Sequence, residues 1–381
     1  MNILIVDQFS QPGGAQQGLI NLLPEVRARG WHAHMLAPGD GELIRWCREH
    51  GVPVYPLPLG SYSSGGKNAL DILRYAFDVP RMMLAIRRIV ADQGIDLVHI
   101  NGARALPGAW NINRRVVFHA HSPVSGTLPR GLTELMVRRS RASVIAVSKF
   151  VALRYPDARV IYNGVPDYGP VRKVALRATR IGLVGRIAPE KGHLDFVSAA
   201  RTISEVSPDS RFFVYGERLF SEAGYDRRVR EAAQNLPVEF CGWKNDAGAI
   251  MRNLDILVVP SDPTEAATRV IMEAFSAGTP VVAYRSGGIP ELVDHGRTGL
   301  LVDWPDAAGL ARAILSLIGD FRTRERLSVA GRTEWERRFD IGIYRARLCD
   351  ALAEIESGKS KAASAVAGED VLAGLGTPDR R

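Results

Sequence analysis

A predicted strand, loop and helix follow one another between Ile256 and Pro280, and this succession strongly limits the possible folds. Ile256–Val259 is a short, fully apolar run, as expected of a strand buried inside a parallel sheet. After a polar loop, Thr268 stands where a helix N-cap is favoured. The apolar face of the helix that follows consists of Val270, Ile271, Ala274 and Ala277. Gly278 suits a left-handed C-cap and Pro280 stops the helix, so this stretch is predicted to be one unit of an α/β sheet.

Two glutamates flank the start of this helix, Glu265 in the loop and Glu273 within the helix. The free backbone N–H groups and the positive dipole end of a helix N-terminus form an anion site. Carboxylates only accept hydrogen bonds, so they suit hydroxyl groups rather than phosphates. A sugar nucleotide combines a diphosphate with two polyols, and the stretch therefore indicates a sugar-nucleotide site.

Short apolar runs alternate with helical patterns along the rest of the chain, which predicts doubly wound parallel sheets of the α/β class. Ligands of such sheets lie beyond the carboxyl ends of the strands. The segment Pro166–Thr179 has the composition of a linker, and a second α/β series begins at Arg180. The predicted division is 1–168 for the first domain, 169–179 for the linker, 180–337 for the second domain, 338–356 for a terminal helix and 357–381 for a disordered tail.

The composition is that of an ordinary globular protein with room for two cores. The chain has 381 residues, of which 46% are hydrophobic and 24% charged. No apolar run approaches the length of a membrane span and the start of the chain has no basic segment, so we expect a cytoplasmic protein. Cys47, Cys241 and Cys349 are scattered without metal-ligand spacing, which favours reduced thiols.

The net charge of +8 lies almost wholly in the first half of the chain. Residues 1–170 contain 19 Lys and Arg against 12 Asp and Glu, whereas the rest contains 30 against 29. Such a field favours an anionic partner such as lipid headgroups or a lipid-diphosphate acceptor, although a solvated basic face explains it equally. Within it, the apolar residues Leu132, Leu135 and Met136 alternate with arginines. This pattern suits either an ordinary surface helix or a helix lying peripherally on an anionic membrane.

Two glycine-containing turns are further candidates for ligand contact. In Gly185–Gly192, Arg186 and Lys191 stand five residues apart after a predicted strand. Arginine offers a bidentate fork and lysine a point charge, a combination that suits a diphosphate. Gly13 and Gly14 follow the first predicted strand and would let a ligand approach the backbone, although a tight helix–strand turn explains them as well.

Glu265 and Glu273 resemble the paired glutamates of the E-x7-E motif in retaining glycosyltransferases of the GT-B fold, especially glycosyltransferase family 4. Gly278–Ala283 and Gly287–Glu291 continue the pattern of that family in register, and Gly185–Gly192 resembles its Gly-Arg…Lys-Gly signature. The resemblance implies two Rossmann-like domains that face a central cleft, with a terminal helix that crosses back onto the N-terminal domain.

The resemblance also implies roles for individual residues. The residues implied for the donor diphosphate are Arg186, Lys191, Gly13, Gly14, Thr268, Arg269 and Val270, the last three through their backbone amides. Glu273 would bind the ribose and Glu265 the hydroxyls of the donor sugar. His121 would line the sugar pocket from the other domain, and Trp243 or Lys244 would lie near the base. The implied reaction moves a hexose-type sugar from a nucleotide-diphosphate sugar to a glycan, lipid-linked or small-molecule acceptor, with retention and without a metal or other cofactor. Nucleic acid is not an expected partner.

The chain departs from the family at two positions near the implied donor. Family members usually carry Gly-Phe-Gly where this chain has Ala266, Ala267 and Thr268, and a Glu where it has Gln16. Losing a glycine restricts the backbone, so an altered donor or weakened catalysis is expected.

Three other functions are compatible with parts of the sequence. The departure at Ala266–Thr268 is compatible with a non-catalytic sugar-nucleotide-binding protein. A nicotinamide-dependent oxidoreductase would use similar sheets, but neither glycine turn begins a Gly-x-Gly-x-x-Gly motif. A sugar-nucleotide epimerase of GT-B architecture would not predict Arg186 and Lys191 together with Glu265 and Glu273.

Overall fold

The structure is a computed structural model of the chain. It describes residues 1–11, 13–60, 69–124, 126–170, 179–218 and 223–359. Most of the predicted linker and the predicted tail beyond residue 359 lie outside these ranges.

Seven parallel strands form the first sheet. They are β1 (Asn2–Asp7), β2 (His32–Ala37), β3 (Val54–Pro56), β4 (Leu97–Asn101), β5 (Arg115–Ala120), β6 (Ser143–Ala146) and β7 (Arg159–Val160). Their spatial order is β3-β2-β1-β4-β5-β6-β7, so the order reverses between β1 and β4. Ile3–Val6 are fully buried, as expected for a central strand covered by helices on both faces.

Six parallel strands form the second sheet. They are β8 (Arg180–Val184), β9 (Arg211–Tyr215), β10 (Val238–Gly242), β11 (Ile256–Val259), β12 (Val281–Tyr284) and β13 (Leu300–Val302). The order is β10-β9-β8-β11-β12-β13, with the reversal between β8 and β11. The prediction of two doubly wound α/β sheets is therefore confirmed. We call each place of reversal a switch point, where the loops diverge and leave a crevice at the carboxyl ends of the strands.

Twelve α-helices connect the strands within the described ranges. The helices of the first half are α1 (Gly14–Ala28), α2 (Glu42–Glu49), α3 (Ala69–Asp92), α4 (Thr127–Arg139) and α5 (Lys149–Ala152). Those of the second half are α6 (His193–Val206), α7 (Ala223–Ala232), α8 (Ala247–Asn253), α9 (Arg269–Ser276), α10 (Ala307–Gly319), α11 (Phe321–Glu334) and α12 (Ile341–Glu356). Short 3-10 turns span Leu106–Ala109, Pro189–Lys191 and Ile289–Glu291, and a π-helical turn spans Trp335–Phe339.

The last helix, α12, packs on the first sheet rather than on the second. Tyr344, Leu348, Leu352 and Ile355 lie in one buried cluster with residues of β1 and α1. The helix begins at Ile341, because the carboxylate of Asp340 accepts the backbone N–H of Gly342 at 2.8 Å. The chain around Phe339 thus leads from the second sheet back to the first.

Several boundaries differ from the sequence-based expectation. The helix expected around residues 81–91 begins at Ala69, because apolar residues cover both its inner and its outer face and hide the helical period. The strand expected at Ser143–Ser148 ends at Ala146, since the Ser148 hydroxyl instead caps α5 by accepting the Val151 N–H at 3.2 Å. Residues 357–359, which were expected to lie in a disordered tail, instead donate backbone hydrogen bonds to the last turn of α12.

Candidate active site

The loops after β8 and β11 meet at the switch point of the second sheet. Gly192 has a φ of +68°, and a Cβ there would lie 1.9 Å from the carbonyl oxygen of Pro260. Only glycine permits this contact, so the Gly185–Gly192 turn is held against the start of the β11 loop. A small crevice between the two strands is lined in part by Lys191, Thr268 and Val270.

Lys191, which lines this crevice, forms an ion pair with Glu265. The Lys191 ammonium lies 2.5 Å from Oε2 of Glu265, and the two side chains are only 21% and 12% exposed. Arg186 lies at the same turn, where it contacts Glu190 at 2.9 Å. The structure therefore brings together one cation and one carboxylate that the sequence places 74 residues apart.

Helix α9 starts at the same place and directs its first backbone N–H groups out of the sheet. Thr268 occupies the predicted N-cap position, although its side chain makes no capping hydrogen bond. Its backbone, at φ −75° and ψ 120°, is in the ordinary extended region. A non-glycine residue fits there without strain, which removes the backbone restriction expected from the loss of a glycine. The free amides of Thr268–Val270 remain available to an anion.

Glu273 is buried in α9 beside Arg269. Burial raises the pKa of its carboxyl, and the guanidinium of Arg269 opposes that shift. The closest atoms of the two side chains are 3.7 Å apart, too far for a direct hydrogen bond. Nη1 of Arg269 donates to the carbonyl oxygen of Gly164 at 3.2 Å. This arginine thus connects the carboxylate expected at the ribose to the end of the first domain.

The loop that carries Glu265 also touches the first domain. Ala266 is buried within the main apolar cluster of the first sheet, and Ala267 packs against the same cluster. From the other side, the backbone N–H of Gly288 donates to the carbonyl oxygen of Glu265 at 2.9 Å. The two alanines that replace the family's glycine and aromatic residue therefore form an apolar contact between the domains.

The switch point of the first sheet carries a buried polar network. Asp7 and Asn101 end β1 and β4, and Nδ2 of Asn101 donates to Oδ2 of Asp7 at 2.5 Å. His121 directly follows β5, and its Nε2 lies 2.6 Å from Oδ1 of Asn101. Gln16 of α1 donates to Oδ1 of Asp7 at 2.9 Å. Of these residues, Asp7 and Asn101 were missed by the sequence analysis, although a polar residue closing a fully buried strand is a detectable signal.

Gly13 and Gly14 stand at the start of α1, next to this network. Gly13 is the N-cap residue of α1 and adjoins the Gln16 side chain. A Cβ on Gly14 would lie 3.3 Å from Cδ of Arg269, so the first glycine turn and α9 face each other across the cleft. Gln16 keeps a hydrogen bond where the family has a charged residue, but directs it to Asp7.

Trp243 and Lys244 lie away from these residues. They follow β10, which is separated from β8 by β9. The indole Nε1 of Trp243 donates to Oδ1 of Asn245 at 2.8 Å, and the ring is 39% exposed. The described contacts do not join either residue to Lys191 or Glu273, and their assignment to the base stays a prediction.

The surface of the first domain is unusual on α3 and α4, which both pack against the 3-10 turn at Leu106–Ala109. Their outward faces carry the exposed residues Leu70, Leu73, Phe77, Leu84, Leu128, Leu132 and Leu135. We call this the apolar face. It shows that the apolar side of α4 is not fully taken up by the core. Within the described ranges, no helix combines the length and apolar character needed to cross a bilayer.

Comparisons with known proteins agree with this geometry. Residues 12–167 match the family model "Glycosyltransferase Family 4", and residues 178–320 match "Glycosyl transferases group 1". A phosphatidyl-myo-inositol mannosyltransferase of Mycobacterium leprae is 25% identical over 93% of this chain and 96% of its own length. A D-inositol 3-phosphate glycosyltransferase of Corynebacterium efficiens is 36% identical, over 49% of this chain and 45% of its own length.

The fold also has close counterparts among solved structures. HepE of Anabaena, crystallised with UDP, superposes with a TM-score of 0.78 at 25% identity, over 93% of this chain and 100% of that one. A sucrose-phosphate synthase of Thermosynechococcus elongatus gives the same TM-score at 20% identity, over 94% of this chain and 100% of its own. Both switch points, the matched models and these structures lead to one assignment: the chain belongs to the group 1, family 4 glycosyltransferases and has the GT-B fold.

Proposed function

We propose that this glycosyltransferase moves a hexose-type sugar from a nucleotide-diphosphate sugar to a glycan, lipid-linked or small-molecule acceptor, with retention of configuration. The observation that carries the proposal is the meeting of Lys191, Glu265 and the start of α9 at one switch point. A cation, its paired carboxylate and free backbone amides at one switch point match the diphosphate and hydroxyls of such a donor.

The charge of the leaving diphosphate can be carried by the protein itself. Lys191, Arg186 and the amides of Thr268–Val270 are fixed hydrogen-bond donors, and such preorganised groups stabilise developing charge. In this proposal no metal takes part. The leaving phosphate oxygen accepts the proton of the attacking hydroxyl, so no carboxyl group has to act as a general acid. Glu265 holds the sugar hydroxyls and Glu273 the ribose.

A uridine diphosphate sugar is the first donor to test, because HepE, which shares the fold and 25% of the aligned residues, was crystallised with UDP. The test measures thermal stabilisation of the protein by UDP, GDP and ADP sugars, by their free diphosphates and by NAD(H). A ligand that binds the folded state raises the melting temperature by mass action.

We expect one nucleotide sugar to stabilise the wild type and both Lys191→Ala and Glu273→Ala to abolish the shift. Lys359→Ala is the control for Lys191, since Lys359 is exposed at the end of α12 on the first domain. Stabilisation by NAD(H) alone would overturn the proposal in favour of an oxidoreductase. Donor binding without transfer to any acceptor would instead favour a non-catalytic sugar-nucleotide-binding protein.

We further propose that the apolar face of α3 and α4 rests on an anionic membrane, on the inner side of the cytoplasmic membrane. Phe77 and Leu128 are 61% and 85% exposed, while the arginines Arg74, Arg81, Arg87, Arg88, Arg138 and Arg139 are exposed on the same two helices. Asp71, by contrast, is buried. An apolar stripe flanked by cations suits lipid tails and acidic headgroups. At the membrane surface the protein would encounter a lipid-linked acceptor. The mycobacterial relative is named a phosphatidyl-myo-inositol mannosyltransferase.

Vesicle sedimentation tests this contact. We expect the protein to bind vesicles of phosphatidylcholine with phosphatidylglycerol, and to bind pure phosphatidylcholine much more weakly. The double variant Leu73→Ser/Phe77→Ser should lose binding. Val206→Ser/Val329→Ser removes two equally exposed apolar side chains from the second domain and should bind like the wild type. Equal losses in both variants, or no wild-type binding, would contradict the membrane contact.

A further inference from the structure

The switch point of the first sheet contains a carboxylate for which the proposed chemistry has no use. Asp7 is fully buried, and it lies directly opposite Asn101 in the register of β1 and β4. Its carboxylate accepts hydrogen bonds from Nδ2 of Asn101, from Nε2 of Gln16 and from the backbone N–H of Phe9 at 2.8 Å. Three donors converge on one side chain, so its position is strongly determined.

These bonds decide which way the Asn101 amide faces. A carboxylate can only accept, so the amide nitrogen of Asn101 must face Asp7 and the amide oxygen must face away. That oxygen lies 2.6 Å from Nε2 of His121. An amide oxygen also can only accept, so Nε2 of His121 must carry its hydrogen.

The surroundings of His121 disfavour a second proton on the ring. The ring lies 4.1 Å from the His119 ring, centroid to centroid, and His99 contacts His119 on the far side at 3.3 Å. Burial lowers the pKa of His121 to about 3, and the charges of His99 and Arg269 act in the same direction. With Nε2–H committed to Asn101, the neutral ring has Nδ1 as its remaining polar atom, and Nδ1 is an acceptor.

We infer that Asp7 and Asn101 are positioning residues, which hold His121 as the neutral Nε2–H tautomer so that its Nδ1 accepts a hydrogen bond from a hydroxyl of the donor sugar. The inference rests on the proposed function for the identity of the ligand. A diphosphate oxygen has no hydrogen to donate and cannot be the partner of Nδ1. The proposed function assigns the ribose to Glu273 and the base to the end of β10, both in the second domain, so the sugar is the part of the donor that this network recognises.

The tautomer can be tested without any ligand. Long-range 15N–1H correlation spectra of histidine-labelled protein at neutral pH distinguish Nε2–H from Nδ1–H imidazole and from imidazolium. We expect His121 in the Nε2–H form in the wild type. Asn101→Leu removes the acceptor and should give a mixture of tautomers, whereas Asn101→Gln keeps both the amide donor for Asp7 and an acceptor oxygen and should keep the Nε2–H form. An Nδ1–H or charged His121 in the wild type would overturn the inference.

The consequence for binding is tested with the nucleotide sugar that stabilises the protein most and with its free nucleoside diphosphate. Asn101→Leu should weaken the binding of the nucleotide sugar about fivefold to tenfold, the usual effect of one hydrogen bond, and leave the binding of the diphosphate unchanged. Asn101→Gln, which keeps the amide, should restore most of the difference. An equal loss of affinity for the nucleotide sugar and for the diphosphate would show a merely structural role for Asn101 and overturn the inference.

The two proposals fail in different ways. If no nucleotide sugar binds the wild type, the proposed function is wrong, and the spectra still report on the tautomer. If the donor binds and Asn101→Leu leaves its affinity unchanged, the proposed function stands and the positioning role is wrong.

Discussion

At the scale of residues, the cations expected at the donor diphosphate are each paired with a carboxylate of the same site. Lys191 is paired with Glu265 and Arg186 with Glu190. Under the proposed function, we expect a diphosphate and Glu265 to compete for the Lys191 ammonium, because the carboxylate lies directly against it. We expect donor binding to exchange partners, so that the phosphate contacts Lys191 and the sugar hydroxyls contact Glu265. After transfer, the return of Glu265 to Lys191 should favour release of the diphosphate.

This exchange predicts that Glu265→Gln binds free UDP more tightly while it transfers sugar more slowly. The Lys191–Glu265 pair is mostly shielded from water, so removing the competing charge is worth about 1 kcal/mol, or roughly fivefold in affinity. Titration calorimetry with UDP measures the gain, and a transfer assay measures the loss.

Glu190→Gln is the matched control, since the Arg186–Glu190 side chains are 39% and 37% exposed. An exposed pair contributes little, so the affinity for UDP should change much less. If Glu265→Gln lost UDP affinity in step with transfer, the exchange of partners would be refuted.

At the scale of elements, one carboxylate connects a turn of the second domain to a helix of the first. Glu291 accepts the backbone N–H groups of Lys149 and Phe150 at 2.7 and 2.6 Å and the hydroxyl of Tyr162 at 2.8 Å. We call these contacts the Glu291 clasp. Since Gly288 of the same turn is bonded to the backbone of Glu265, the clasp also fixes the Glu265 loop against the first domain.

Glu291→Ala should open the cleft and lower the melting temperature. Three charge-assisted hydrogen bonds are lost and two amides at the start of α5 lose their partner, for a cost of about 2 kcal/mol. Small-angle scattering should show a larger radius of gyration than in the wild type.

Glu354→Ala removes an exposed ion pair with Arg159 and should change the melting temperature and the radius of gyration little. An unchanged radius of gyration for Glu291→Ala would mean that the clasp does not hold the domains together.

The same elements show how far the sequence could predict this structure. The fully buried runs of β1, β4, β5, β8 and β11 are local patterns, and all five strands appear near their predicted places. The pairing of Asp7 with Asn101 spans 94 residues, and that of Glu291 with Lys149 spans 142. Such contacts depend on strand order and domain closure, and the local hydrophobic periodicity of the sequence carries no information on either. Glu265 and Lys191 could be placed together only because both belong to motifs of a known family.

At the scale of the whole molecule, two chain segments cross side by side between the domains. The backbone N–H of Val165 donates to the carbonyl oxygen of Phe339 at 3.0 Å, and Trp335 donates to the carbonyl oxygen of Val165 at 3.2 Å. Any rotation of one domain against the other bends both segments together. The Glu291 clasp and Arg269 lie beside this crossing, since the Tyr162 ring packs edge-on against Phe339 and Arg269 donates to the carbonyl oxygen of Gly164.

Buried histidines in both domains make the stability of the whole molecule sensitive to acid. Burial lowers the pKa to about 4 for His99 and His193 and to about 3 for His121, and it lowers the pKa of His119 well below its usual value. Below pH 6.5 these histidines bind protons in the unfolded chain but not in the folded protein, so the free energy of unfolding falls as the pH falls. Asp7 acts in the opposite direction: burial raises its pKa to about 6, so between about pH 4 and 6 the folded state binds the extra proton. Burial also raises the pKa of Glu273, so this carboxyl acts in the same direction as Asp7, and both oppose the histidines.

We therefore predict that the protein loses stability between pH 6.5 and pH 5, by about 2 kcal/mol for each histidine whose folded pKa lies near 4 or below. Urea unfolding at pH 7.5, 6 and 5 measures this slope. His99→Gln keeps a polar side chain of similar size without a titrating ring. The pH dependence of its free energy of unfolding should therefore correspond to the uptake of about one proton fewer. His50→Gln, at an exposed site, should keep the wild-type slope. A flat profile in the wild type, or equal slopes in the wild type and His99→Gln, would show that the folded protein can protonate these histidines without cost.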